Sequence, residues 1–427
     1  MPADALETLQ LERLRDVVAR VYENVSLYTK KYDAAGVRPD DIRSLSDVTN
    51  LPFTVKDDMR SAYPYGMFAV PLRDIVRVHS SSGTTGQITV VGYTKRDIEN
   101  WADMMARTIA CAGGTADDVV QVTYGYGLFT GGLGVHYGSE RLGAVTIPIS
   151  GGNTKRQVQV LKDFGTTILA CTPSYAVLIA ETAQEMGIDI RELPLKAGVF
   201  GAEPWSDNMR RQIEELMGLT AIDIYGLSEV LGPGVASECS EQNGLHVNED
   251  HFLVEIVDTE TLQPVPDGEY GEVVFTTLTK QGIPVVRYRT RDISRIIPGE
   301  CPCGRTFRRM ERITGRSDDM LIVRGVNVFP SQIEQVLTGI PGVAPHYQVV
   351  LTKRGSMDHV EVHVEVAPDT DFDEIRELEV LRRRVAGEIA SALAVSIDVK
   401  LVEPKSIERS QGKAKRVVDL RAEDGGA

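Results

Sequence analysis

The sequence has no apolar run approaching the ~20 residues that a helix needs to cross a bilayer, which argues against a spanning segment. Its start, Met1-Pro-Ala-Asp-Ala-Leu-Glu7, carries neither the basic nor the apolar stretch of a secretory signal. Cysteine is scarce. Five in 427 residues is an odd count that excludes a disulfide scaffold and points to reduced thiols in the cytoplasm. Positive charge is short as well: 46 Lys+Arg stand against 61 Asp+Glu, a net charge of −15. That excludes the basic face of a nucleic-acid binder and disfavours adsorption to anionic membranes. Internal repeats are absent, and so is a Gly-x-Gly-x-x-Gly after a strand. The stretch around Ser228 reads Gly-Leu-Ser-Glu-Val, without the second Gly of a nucleophile elbow. What remains is an ordinary globular composition, 42% hydrophobic and 25% charged, long enough for two or three domains. Any anionic ligand must then be held locally, by backbone N–H groups, a metal ion or a few placed cations.

Apolar spacing at Leu9, Leu11, Leu14, Val17, Val18 and Val21 predicts one amphipathic helix from Leu6 to about Tyr32. From about Val119, short apolar runs feed loops and then helices. Thr167–Cys171 leads to Thr172, a candidate cap, and to Pro173, suited to a first helical turn. Ala197–Phe200 leads through Gly201-Ala-Glu-Pro-Trp205 to a helix capped by Ser206 or Asp207, and Ala221–Ile224 leads into Tyr225-Gly-Leu-Ser-Glu229. Such units predict an α/β fold with a largely parallel, helix-covered sheet, its ligand sites in loops at the carboxyl ends of strands. After about residue 250 the texture turns β-rich, with strands at Phe252–Val257 and Gly271–Thr277. Strict alternation at Val360–Val366, a helix over about 373–393 and a strand near Ile397–Val402 predict a small α+β C-terminal domain.

Four motifs carry chemistry. In Ser80-Ser-Ser-Gly-Thr-Thr-Gly86, Gly83 and Gly86 free the backbone and the flanking hydroxyls add donors, so the loop can wrap phosphate oxygens. It is not a Walker loop, since Gln87 and Ile88 follow instead of Lys-Ser/Thr. A flexible linker is the plain alternative, but strand texture resumes at Thr89 and favours an ordered hairpin. Glu229, after a buried-looking strand, suits Mg²⁺ beside phosphates, or simply a helix start. Asp292 in Tyr288-Arg-Thr-Arg-Asp292 can accept both ribose hydroxyls, or can pair on the surface with Arg289 or Arg291. Ser410-Gln-Gly-Lys-Ala-Lys-Arg416 is a Gly-hinged basic loop or a solvated tail.

In order and spacing these motifs resemble the acyl-adenylate-forming superfamily of acyl-CoA synthetases, adenylation domains and luciferases. The likeness runs nearly end to end and sharpens to the phenylacetate–CoA ligase family. It is carried by Leu11–Arg15, Tyr22–Val25, Leu51-Pro-Phe-Thr-Val-Lys-Asp57, Tyr65–Pro71, Tyr124–Gly132, Arg316–Ile322 and Arg324–Pro330. The resemblance implies a large N-terminal adenylate-forming domain, residues 1–316, of mixed sheets covered by helices plus a β-rich part. A mobile C-terminal domain, 317–427, would turn about a hinge at Asp318.

By the same resemblance Ser81, Ser82, Gly83, Thr84, Thr85 and Gly86 would cradle ATP phosphates, with Thr84 taking part in catalysis. Gly201, Ala202, Glu203, Pro204, Asp223, Tyr225, Gly226 and Ser228 would surround the adenylate, and Asp292 and Arg316 would grip the ribose. Glu229 would hold Mg²⁺. Lys413 would reach the acyl carboxylate and α-phosphate, with Lys415 as the second candidate. Tyr126, Phe129, Gly131, Gly232, Pro233 and Gly234 would line the acyl pocket, and Gly325 would lie near CoA. The implied activity is AMP-forming ligation of an aryl acid, phenylacetate first, to CoA. The alternatives are another aryl acid, a carrier thiol as acceptor, or a silent nucleotide or acyl-CoA binder. ATP, CoA and the acid are the expected partners, with no nucleic acid or membrane and a homodimer as the candidate assembly. Two departures from the superfamily pattern stand out. Ile88-Thr-Val90 replaces the common Pro-Lys-Gly, whose lysine phenylacetate ligases also lack, and Asn327 stands where many acyl-CoA synthetases have arginine.

A last constellation is independent of catalysis. Cys301-Pro-Cys303-Gly304, with Cys239 and His246 upstream, offers three thiolates and an imidazole, a closed set for a structural Zn²⁺. Reduced buried thiols and a backbone-satisfied histidine are the other reading. Cys111 and Cys171 read as core.

Overall fold

The computed structural model describes residues 1–81, 88–317, 321–323, 326–354, 357–368, 370, 374–393, 395–410 and 412–421. The loop positions Ser82, Gly83, Thr84, Thr85 and Gly86, the hinge position Asp318 and Gly325 lie outside them.

The chain opens with two helices rather than one, α1 (Ala3–Asn24) and α2 (Ser26–Ala35). Val25 between them is extended and fully buried, and the break turns Tyr28 and Tyr32 of α2 into the core. A short α3 (Lys56–Ser61) precedes the antiparallel hairpin of β1 (Ile75–Ser80) and β2 (Val90–Thr94). The strand–loop–helix series follows as expected: α4 (Lys95–Cys111), β3 (Val119–Val122), α5 (Gly131–Leu142), β4 (Val145–Ile147), α6 (Thr154–Asp163), β5 (Ile168–Cys171), α7 (Pro173–Glu185), β6 (Ala197–Gly201), α8 (Asp207–Met217) and β7 (Thr220–Leu227). Adjacent strands in the order β4-β3-β5-β6-β7 are all parallel. Every residue of β5 and β6 is buried, because α4 and α5 cover one face and α6, α7 and α8 the other. Helices on both faces explain why these strands read as continuous apolar runs.

The sheet is more mixed than the sequence pattern predicts. Beyond β7 it continues with antiparallel β8 (Gly232–Ser237) and β9 (Leu245–Val247). A separate antiparallel sheet begins with β10 (Phe252–Val257), β11 (Gly271–Thr277) and β12 (Tyr288–Ser294). The chain then returns to the large sheet with β13 (Ile296–Ile297) and β14 (Arg309–Met310), and closes the small one with β15 (Gly315–Arg316). β7 also runs three residues past Ile224. Gly226 permits this, since a Cβ there would lie 1.8 Å from the Gly232 carbonyl oxygen across the pairing.

A smaller C-terminal domain follows the two-stranded pair β16 (Leu321–Val323) and β17 (Val326–Val328). It contains α9 (Pro330–Leu337), β18 (Val343–Arg354), β19 (Met357–Val366), α10 (Ile375–Leu393), β20 (Asp398–Val402) and β21 (Val417–Asp419). Its sheet has the order β20-β19-β18-β21 and its own core, with Val362, Val364, Val385 and Ile389 fully buried. Alternation along β19 places the valines inward as expected. Glu365 breaks that pattern: it is buried, and Arg409 neutralises it through a 2.7 Å ion pair. β21 lies parallel to β18 and delivers the basic segment just before it toward the large domain.

Candidate active site

The parallel strands β5, β6 and β7 end side by side, and their carboxyl ends form the floor of a crevice. After β6 the chain turns at Gly201 and Ala202. A Cβ on Gly201 would stand 2.5 Å from the Ile224 oxygen, and Ala202 takes a left-handed φ of 72°. Such a conformation is rare for a residue with a side chain. Ala202, Glu203, Pro204, Asp223, Tyr225 and Gly226 line the crevice together with Asp292, Arg316 and Lys413. Residues more than two hundred positions apart thus face one space.

Its carboxylates are already partnered. The Tyr225 hydroxyl donates to Asp292 Oδ2 at 2.6 Å, and Arg316 Nη1 donates to Asp292 Oδ1 at 3.1 Å. Burial holds the Tyr225 phenol well above its ordinary pKa, so it stays a donor. The ring stacks on Phe275 with centroids 5.9 Å apart. Asp292 therefore does not use Arg289, which pairs with Glu272 at 2.6 Å. Asp223 accepts from Arg312 Nε at 3.0 Å, and that guanidinium lies over the Trp205 ring, 4.6 Å from its centroid.

Beside the crevice, β1 and β2 bring the ends of the Ser/Gly loop together. The Ser81 N–H donates to Thr89 O at 3.0 Å, while Ser81 Oγ is buried and makes no hydrogen bond among the described residues. Glu229, just beyond β7, is 4% exposed. Its Oε1 stands 3.3 Å from Lys56 Nζ and accepts no hydrogen bond of sound geometry. A buried carboxylate oxygen that has a lysine ammonium nearby but no hydrogen bond can also serve a hard cation.

The residues expected at an acyl pocket are only partly gathered. Ser228, expected around the adenylate rather than the acyl group, has its Oγ 3.2 Å from Thr130 Oγ1. Gly232 and Gly234 have positive φ and press against Trp101 and Met105, and the Trp101 indole donates to Pro233 O at 2.8 Å. Gly131 starts α5 against Tyr124. Tyr126 points its hydroxyl at His136 Nδ1, 3.3 Å away, and Phe129 is 54% exposed.

Family models match the two parts of the chain: the AMP-binding enzyme model matches residues 16–278, and the AMP-binding enzyme C-terminal domain model matches 325–421. Phenylacetate-coenzyme A ligase of Escherichia coli K12 is 52% identical over 424 residues, 98% of this chain and 95% of that one. The chain belongs to the phenylacetate–CoA ligase family of AMP-binding enzymes. The ligase of the same name from Aromatoleum evansii is 51% identical, covering 99% of this chain and 96% of that one. Among solved structures, 2-hydroxyisobutyryl-CoA ligase in the postadenylation state with 2-HIB-AMP superimposes with a TM-score of 0.94. That match has 31% identity and covers 99% of this chain and 91% of the other. The same ligase in its thioesterification state, at 31% identity and 99% and 92% coverage, gives 0.73. The domain arrangement here is thus the one that ligase has in its postadenylation state.

Membership in this family does not by itself explain the thiol cluster at the far end of the large sheet. His246 lies on β9, paired with Arg309 of β14, and a turn closed by the Gly304 N–H to Cys301 O presents the two downstream cysteines. Ligand atoms of Cys239, His246, Cys301 and Cys303 all lie within 4.8 Å of one another. His246 Nδ1 stands 3.2 Å from the Phe307 carbonyl, which can only accept, so Nε2 presents its lone pair to the sulfurs. Burial pushes the Cys239 thiol up to about 12. Cys303 is held down to about 7 against the effect of burial, by the backbone N–H and guanidinium of Arg305. Three converging sulfurs and an oriented imidazole fit a tetrahedral zinc site.

Several roles escape sequence reasoning. Thr172 sits at the α7 N-cap position, but its side chain does not cap the helix; it donates instead to Gly412 O at 3.1 Å. Glu203 accepts the Ser174 N–H at 2.8 Å and the Ala414 N–H at 2.7 Å. Lys280 is buried against Glu229 O at 3.3 Å, and burial lowers its pKa to about 8. Lys56 lies in a stretch that the family pattern singles out, so its position was a usable signal. Lys280 offered none.

Proposed function

We propose that this chain ligates phenylacetate to CoA with ATP, forming phenylacetyl-adenylate and pyrophosphate and then releasing AMP as the thiol attacks. The observation that carries the reading is the crevice in which Lys413 faces Tyr225, Asp292 and Arg316. Four phenylacetate–CoA ligases, 48–52% identical over nearly the whole chain, support the choice of acid.

The first step brings two anions together, so charge must be offset as it builds at phosphorus. Lys413 supplies positive charge at the mouth of the crevice. Tyr225 and Arg316 hold the Asp292 carboxylate in place to accept ribose hydroxyls. Ser81 and the loop after it offer hydroxyl and N–H donors to the phosphates. Glu229 would hold Mg²⁺, which when bound screens phosphate charge. Enclosure between the two domains keeps water from the labile anhydride. In this reading the parts divide at 316/317, and the C-terminal part turns near Asp318 to remove Lys413 before the thiol enters.

Cys239, His246, Cys301 and Cys303 would hold one structural Zn²⁺, away from the reaction; metal analysis of untagged protein tests this, and an empty result removes it. Five free thiols support a cytoplasmic location. Among the described residues no helix is long and apolar enough to cross a membrane.

The test is AMP release with ATP, Mg²⁺ and CoA across a panel of aryl, indolyl and aliphatic acids. Phenylacetate should give the highest kcat/KM. A different preferred acid replaces phenylacetate, and ATP binding without turnover on any acid rejects the enzyme.

A further inference from the structure

The N-terminal domain holds the Lys413 segment by its backbone. Thr172 Oγ1 donates to Gly412 O at 3.1 Å, and Glu203 Oε2 accepts the Ala414 N–H at 2.7 Å. The other oxygen of Glu203 accepts the Ser174 N–H in the first turn of α7, at 2.8 Å. A second carboxylate makes the same contact in the opposite sense. Glu334 of α9, in the C-terminal domain, accepts the Ser206 N–H just ahead of α8 at 2.9 Å. Each acid thus reaches from its own domain into the other, Glu203 to the Ala414 N–H and Glu334 to the Ser206 N–H. Each bond is charge-assisted and strongly directional.

The partners that remain if the domains part are as informative as the bonds themselves. Glu334 is 2% exposed, yet it keeps Arg416 at 3.4 Å and the Tyr347 hydroxyl at 3.4 Å, both from its own domain. Glu203 keeps the Ser174 N–H. Separation therefore leaves neither carboxylate bare, which avoids the cost of stranding a buried charge without a partner. Contacts of this kind break and reform easily, unlike an apolar seam. They are made here in the arrangement shared with the postadenylation state of 2-hydroxyisobutyryl-CoA ligase, TM-score 0.94.

We infer that Glu203, Glu334 and Thr172 form a releasable latch that positions Lys413 for adenylation and lets go for thioester formation. The inference rests on the reading of Lys413 given above. Glu334 and Thr172 are positioning residues, acting on the reaction through the Lys413 segment.

The two half-reactions, measured separately on the full chain, test the latch. One is ATP–pyrophosphate exchange with phenylacetate; the other is thioester formation from synthetic phenylacetyl-adenylate and CoA. Glu334→Gln and Thr172→Val should each slow exchange by roughly tenfold, the scale of one lost hydrogen bond to a charged group or to a loop that must be placed, while thioester formation stays within about twofold. Equal loss of both half-reactions, or unchanged exchange in both variants, overturns the latch. Thr172→Val removes one hydrogen bond without stranding a charge, so it decides the matter if Glu334→Gln fails to fold by its melting curve. Lys413→Ala serves as the reference. If it retains exchange, the assignment of the lysine fails, and the latch with it. A wild-type protein without exchange on any acid overturns the function itself. Failure of the latch alone looks different: wild type and Lys413→Ala behave as assigned and only the latch variants do not.

Discussion

The nucleotide crevice and the thiol cluster are built on opposite logic. In the crevice, Asp292 is tied to Tyr225 and Arg316, Asp223 to Arg312, and Glu203 to two backbone N–H groups. In the cluster, Cys239 and Cys301 put their sulfurs 3.8 Å apart, and Cys303 Sγ lies 3.4 Å from His246 Nε2. Thiols are weak hydrogen-bond partners for one another. A site whose ligand comes and goes has to be stable while empty, so its charges are paired within the protein. The cluster, for which a resident ion is proposed, has its candidate ligand atoms facing one another instead. Glu229, outside the crevice lining, differs: its Oε1 has Lys56 Nζ at 3.3 Å but no hydrogen bond, and it is the carboxylate expected to meet a cation.

The largest effect that sharpens this contrast is at Lys413. Lys413→Ala should lower adenylation on the order of a thousandfold, the scale of removing one transition-state charge contact, with conversion of preformed acyl-adenylate retained. Parallel loss of both half-reactions would place the lysine in a general role instead. Stability should respond in the cluster and not in the crevice. Cys301→Ser should abolish zinc binding and destabilise the fold on the order of 4 kcal/mol in denaturant titration, as expected for loss of a structural metal. Unchanged stability would mean that the four ligands are only buried polar groups.

Acid is the third probe. Burial lowers His251 to about 4, so the unfolded chain takes up its proton first, near the ordinary value of 6.5. Stability should fall as pH drops from about 6.5 toward 4, by on the order of 3 kcal/mol from this group alone. His251→Gln should flatten that slope in urea midpoints measured at pH 6.5 and 4.5, and it separates general acid unfolding from loss of metal. The smallest effect belongs to the pre-paired crevice. Asp292→Asn should raise the KM for ATP roughly ten- to hundredfold, the range for a hydrogen bond to a charged group, without changing the melting temperature by more than a degree or two. A large stability loss there would show that the pairing is structural first.

Legibility in the sequence followed the range of the interactions. The strands β5, β6 and β11 are where apolar runs and flanking turn residues predict them, because helix cover and backbone pairing impose a local pattern. The break at Val25 was not legible, since helical spacing persists on both sides and only the packing of Tyr28 and Tyr32 requires it. The antiparallel half of the large sheet was missed for a related reason: β9, β13 and β14 are two or three residues long and have no period to detect. Among site residues, Asp292, Tyr225, Arg316 and Lys413 stood out through their motifs, and the fold brings them together. Thr172 was read as a cap, because a threonine before Pro173 satisfies the local rule; the competing acceptor, Gly412 O, is 240 positions away.

By itself, then, the amino-acid order determined the α/β architecture, the presence of a smaller C-terminal domain and, through its resemblance to a known family, the kind of chemistry. All of these rest on spacing within a few turns or strands, or on motifs a few residues long. Only the tertiary structure decided which charge meets which. It set Asp292 against Tyr225 rather than Arg289, closed four ligands from three segments within 4.8 Å, and gave Glu203 and Glu334 each other's domain to hold. Those pairings depend on where distant segments come to rest, and directional hydrogen bonds over about 3 Å carry no trace of that choice along the chain.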